Sequence, residues 1–244
     1  MELNCVRLNK LEEILKENVS AHRPGENFQK LLTLDHVDRR LYAIYLSETY
    51  HYTRHNPKNQ ALVACREEIL DVNYIKYCFN HSMEEAGHEY LALSDLNSLG
   101  VKFREEELPP PLPETEALIG YLYRISKTGN PLARLGYSYW AESVYGHTKK
   151  GTALFKEALG LKDSQMTFLG SHSKIDAEHF EEVQVALSRF AKSDKDWQAI
   201  EDCMLQSLTL TRKMIDQVIG NYLKVKDGET TKYSIFDPIK DLNV

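Results

Sequence analysis

The chain has 244 residues and only four cysteines, Cys5, Cys65, Cys78 and Cys203, none spaced as C-x2-C. That spacing excludes the common thiolate zinc site and gives no disulfide framework, and it fits a reducing cytosol. Glycine (12) and proline (8) are sparse, so little in the sequence interrupts long helices. No apolar run reaches membrane-spanning length. Arg7, Lys10 and Glu12 stand where a signal peptide would need an apolar stretch. No lysine–arginine stripe stands out and the formal net charge is −6, which argues against a nucleic-acid binder. These absences lead to the expectation of a soluble, cytoplasmic protein with neither nucleic acid nor membrane as partner.

What is present is helical periodicity. Hydrophobic residues make up 42% of the chain, enough for a substantial core. A short amphipathic helix carries Leu8, Leu11, Ile14 and Leu15, and Phe28, Leu31 and Leu32 begin a second short element. Longer helices are expected over about 35–53, 58–70, 73–98, 114–127, 131–159, 171–189 and 194–225, with a short helical turn near 163–169. Asn56-Pro57, Gly100, the run Pro109-Pro110-Pro111-Leu112-Pro113 and Gly129-Asn130-Pro131 separate them. No stretch of useful length shows strand periodicity. The expectation is an all-α fold with one domain over residues 1–226 and a loose C-terminal tail over 227–244.

Two short segments share a pattern. His81, Glu85 and His88 are spaced H-x3-E-x2-H; His172, Asp176 and His179 are spaced H-x3-D-x2-H. On one α-helix, positions i, i+4 and i+7 fall within an arc of roughly 60°. Each segment then turns two imidazoles and a carboxylate to one side. With 9 His and 36 Asp plus Glu in the chain, such a triplet should arise by chance about 0.05 times, yet it occurs twice. Imidazole with carboxylate suits iron or manganese better than thiolate-loving metals, and two such faces opposed would form a dinuclear box. Di-iron bundles add lone glutamates to Glu-x-x-His pairs. Glu142 is the best candidate, because Tyr137-Ser138-Tyr139-Trp140-Ala141 precedes it and an unpartnered carboxylate there would be costly. Glu84 is an alternative to Glu85, and Arg39, Arg40 and Arg189 are candidates to pair with a substrate carboxylate.

The order Glu85-x2-His88, then Glu142, then His172-x3-Asp176-x2-His179 resembles the heme-oxygenase-like di-iron oxidases and oxygenases over roughly residues 35–225. The resemblance implies a heme-oxygenase-like multi-helix bundle with a dinuclear metal site. It further implies two Fe(II) per chain, O2 as co-substrate and a small amino-acid-like substrate; a homodimer is allowed. Glu85, His88, Glu142, His172, Asp176 and His179 would be the catalytic metal ligands. Some members carry glutamate where His81 stands, so His81 either is a seventh ligand or supports one. Family reactions include N-oxygenation, desaturation and C–C cleavage. His81, the chain length and the ligand order are also similar to a branch that forms a nitrile from a brominated tryptophan in natural-product biosynthesis. Two other classes remain open. One is a metal-free, thiaminase-like hydrolase, which needs an activated cysteine. The other is a binding protein with structural histidines. A heme oxygenase proper would need one proximal histidine rather than two triplets.

Overall fold

The computed structural model describes residues 2–20 and 25–240; within these, the side chains of 2–4, 20, 144–150 and 171–178 lie outside the described set. Ten α-helices follow one another among the described residues, and no strand occurs there: α1 (Glu2–Ser20), α2 (Glu26–Leu31), α3 (Arg40–Thr53), α4 (Asn56–Ala64), α5 (Val72–Glu85), α6 (Glu89–Asn97), α7 (Pro113–Lys127), α8 (Arg134–Ala158), α9 (Thr167–Phe190) and α10 (Asp194–Lys226). Local chemistry sets many of the helix starts. Asp71 accepts hydrogen bonds from the backbone N–H groups of Asn73 and Tyr74 and opens α5. Ser193 and Asp196 form a capping box that opens α10. Pro57 and Pro113 occupy first-turn positions of α4 and α7, where a missing N–H costs nothing.

The apolar faces form two buried clusters. One gathers Leu11 and Leu15 of α1 with parts of α4, α5 and α7. The other gathers α3, α6 and the C-terminal segment. The three longest helices thread both. In α9, for example, Phe168 lies in the second cluster while Val183 and Leu187 lie in the first. Helices α8 and α10 cross closely at Gly136, where a Cβ would sit 2.0 Å from the Ile200 carbonyl oxygen. Only glycine fits that crossing.

Three expectations need correction. The helix expected over 73–98 is two helices. Helix α5 stops at Glu85, Gly87 adopts φ +99°, and α6 begins at Glu89. Gly87 is a left-handed helix terminator, so His88 does not share the helical face of His81 and Glu85. Helix α9 begins at Thr167 rather than 171, because the buried Asp95 of α6 accepts from the backbone N–H groups of Thr167 and Phe168. The stretch expected to be a loose tail folds back as a 3-10 helix over Lys232–Ile239. Tyr233, Phe236 and Ile239 recur every three residues, the period of that helix, and all three are fully buried. A search for the 3.6-residue period passes over them.

Candidate metal centre

The site is assembled by three helices. Helix α5 supplies His81 and Glu85 one turn apart, α8 supplies Glu142, and α9 supplies His179. One donor atom from each of these four residues lies within 4.8 Å of every other. All four residues are at most 9% exposed. Nδ1 of His179 is 3.7 Å from Glu142 Oε2 and 3.9 Å from Glu85 Oε1. Its ring meets that of His81 edge-on, with centroids 5.8 Å apart. The Tyr77 ring stacks flat on His81, at 5.8 Å and 8°.

The electrostatics follow from this crowding. Hydrogen bonding to Glu142 is the largest influence on His179. Together with the charges of Glu142, Glu85 and Glu84 it overcomes burial and pushes the imidazole up to about 9. A protonated His179 therefore serves as the local cation among these acids. Burial dominates at His81 and pulls it below the usual histidine value, which leaves its ring neutral and its lone pair available. His88 sits at the helix break, with Nδ1 3.3 Å from Glu85 Oε1. Hydrogen bonding to Glu85 raises it.

Two buried carboxylates side by side are costly unless a cation joins them. The donors that meet here are oxygen and imidazole nitrogen, the set that suits iron. The residues present fit that metal. Backbone α9 runs unbroken through 172 and 176, but the side chains of His172 and Asp176 lie outside the described residues. Glu84 is at the rim, its Oε2 3.6 Å from His179 Nε2, and it is more exposed than Glu85.

The other candidates part company with the centre. Arg39 donates to the carbonyls of Leu159 and Gly160. Arg40 is buried in ion pairs with Asp38 and Asp237. Arg189 is exposed beside Phe190. Cys78 and Cys203 are buried, and burial pushes both thiols up to about 11, the opposite of what a nucleophilic thiolate needs. Cys5 and Cys65 are exposed. One residue near the centre had escaped notice. Arg134 stands two turns before Glu142 on α8 and is 2% exposed. Its signal in the sequence is a lone charge inside the apolar stretch Leu132-Ala133-Arg134-Leu135.

Comparison with known proteins agrees with this geometry. The family described as iron-containing redox enzymes matches residues 43–212, a span that contains every candidate ligand. A crystal structure from Shewanella denitrificans OS217, described as a domain of unknown function with a heme oxygenase-like fold, is 42% identical. The match covers 94% of this chain and 95% of that one, with a TM-score of 0.78. The fold is heme-oxygenase-like. No curated protein matches the chain.

Proposed function

Because this chain belongs to the iron-containing redox enzyme family, we propose that it is a non-heme di-iron oxidoreductase that uses Fe(II) and O2 on a small amino-acid-like substrate. The observation that carries the proposal is the convergence of His81, Glu85, Glu142 and His179 within 4.8 Å in a buried site. In this reading His88, His172 and Asp176 complete the ligand set. Bound iron would supply the binding and reduction of O2, which no side chain can provide.

The chain's own residues do the rest. Glu85 and Glu142 provide the negative charge that offsets buried metal cations. His81, kept neutral by burial, offers a lone pair without first shedding a proton. His179 holds a proton on the ring that faces Glu142 in the metal-free protein, and it must give that proton up when its nitrogen becomes a donor. Tyr77 against His81, and the buried Tyr137 on α8, which Trp140 meets edge-on, help keep water from the carboxylates. Trp140 is fixed by its N–H donated to Ser207 Oγ at 2.8 Å.

The test is metal content after anaerobic loading with Fe(II), followed by O2 consumption with candidate amino acids. Tryptophan and bromotryptophan come first, because nitrile formation is the narrowest form of the proposal. About two irons per chain are expected. One iron at saturation would sink the dinuclear form, and failure to take up iron would leave the binding-protein and hydrolase readings.

A further inference from the structure

Among the described residues two arginines are buried, and one of them is neutralised by acids. Arg40 pairs with Asp38 and Asp237. Arg134 is more buried still, yet among the described residues its partners are uncharged. Its Nε donates to Asn59 Oδ1 at 2.6 Å and its Nη1 to Ser138 Oγ at 2.8 Å. Its guanidinium carbon lies 4.5 Å from the Tyr137 ring centroid. A guanidinium has five N–H donors and keeps its charge at any working pH. Two of the five are used here, and no acidic side chain among the described residues forms an ion pair with the charge. A buried cation without a counter-ion is expensive.

Other polar groups around it are also short of partners. The Tyr77 hydroxyl of α5 and both amide atoms of Gln60 on α4 are buried without a hydrogen bond that meets ordinary geometry. Gln60 is 1% exposed and sits against the thiol of Cys78, a weak hydrogen-bonding group. The Tyr77 ring lies within electrostatic reach of both Arg134 and Glu142, and it stacks on His81.

Position links these groups to the metal centre. Arg134, Ser138 and Glu142 are four residues apart in succession, so they line one face of α8. The bond to Ser138 turns the guanidinium toward Glu142. The gap from Ser138 to Glu142 is one helical turn, roughly 6 Å along the axis. A small molecule held at Arg134 with its other end at the centre would run along this face of α8.

We propose that Arg134 anchors the anionic end of the substrate, with the Tyr77 hydroxyl as a second donor, and so selects molecules that carry a carboxylate. The place of the reacting end rests on the metal reading above; the anion site itself does not. A carboxylate accepts two parallel N–H bonds from arginine, and it would supply the counter-charge that the protein withholds from Arg134.

The test uses 3-phenylpropanoate and its neutral amide as probes, with affinities measured by calorimetry on metal-free and on anaerobic Fe(II)-loaded protein. The wild type should bind the acid at least tenfold more tightly than the amide. Arg134→Gln should lose the acid by about 10- to 100-fold while amide affinity, helicity and iron content stay unchanged. Arg134→Lys keeps the charge without the fork and should lose part of the preference. Tyr77→Phe, which removes one oxygen, should weaken the acid several-fold. Should Arg134→Gln fail to fold, the lysine and phenylalanine variants decide the matter. Equal binding of acid and amide by the wild type, or a preference that persists in these variants, overturns the proposal. Normal iron loading with a preference indifferent to Arg134 removes the anchor alone. No iron uptake with a preference that still follows Arg134 removes the metal reading and keeps the anchor.

Discussion

Among the sites where the described residues bury carboxylates, two treat them in opposite ways. Glu48 of α3 is fully buried, and protein donors meet it: the Leu112 N–H at 2.9 Å, the Thr115 hydroxyl and the Tyr233 hydroxyl. Its charge is spread over fixed hydrogen bonds that tie α3 to the start of α7 and to the C-terminal 3-10 helix. At the other site Glu85 and Glu142 face two imidazoles and each other. The first arrangement is complete as a fold element. The second gathers two acids and two imidazoles, a set whose negative charge a bound metal would offset. Burial alone therefore does not mark a functional carboxylate; the kind of neighbour does.

The largest expected contrast between the regions is in iron. Glu142→Ala or His179→Ala should remove at least one iron per chain and abolish O2 consumption, read by metal analysis and an oxygen electrode. His81→Ala should lose iron to the same extent, since its ring nitrogen is one of the converging donors. A His81→Ala protein that keeps its iron with only a 10- to 100-fold weaker affinity would make His81 a support for a ligand instead. Glu48→Ala, by contrast, should load iron normally.

Stability should show the reverse pattern. Glu48→Ala leaves an amide and two hydroxyl donors without their acceptor, at a cost of about 3 kcal/mol or more, seen as a lower Tm and a lower denaturation midpoint. Glu142→Ala in metal-free protein should cost much less, because it relieves the crowding of carboxylates. A Glu142→Ala variant as damaged as Glu48→Ala would erase the distinction between the two regions.

Acid provides a smaller contrast. His51 lies beside Glu48, and its Nε2–H donates to the Pro109 carbonyl at 2.7 Å. Burial, the largest influence, lowers it below the ordinary 6.5. The unfolded chain therefore takes up this proton first as pH falls. Stability from neutral His51 is present above about 6.5 and declines below it, by at most ~1.4 kcal/mol per pH unit. His51→Gln should flatten the fall in Tm between pH 6.5 and 5. An unchanged slope would assign the acid sensitivity elsewhere.

The smallest effect tests the break beside the metal centre. Gly87→Ala meets no neighbour within 4 Å, so its cost is conformational alone, about 1–2 kcal/mol for a side chain at positive φ. Because the same turn aims His88 at Glu85, iron affinity should fall by a modest factor as well. No change in either quantity would mean that the break tolerates a side chain.

Much of this was legible in the sequence because its signals are local. Asn56-Pro57, Gly100 and Gly129-Asn130-Pro131 mark helix boundaries through backbone chemistry within a single turn. His81 and Glu85 share a face because four residues make about one turn, and Glu142 stands out as an acid in an aromatic run. The missed features depend on partners far along the chain. Gly87 lies inside a stretch whose apolar positions continue on both sides, so periodicity reads straight through it.

The sequence by itself determined an all-α chain, the approximate helix order and the donor chemistry of the centre, because periodicity and residue type are short-range properties. Tertiary structure alone decided the rest. It brought Asp95 across to start α9, and it seated Tyr233, Phe236 and Ile239 in a core formed by other helices. It also left Arg134 without the carboxylate that Arg40 received. Those outcomes turn on which surfaces are buried together, and burial is a property of the assembled helices rather than of any one segment.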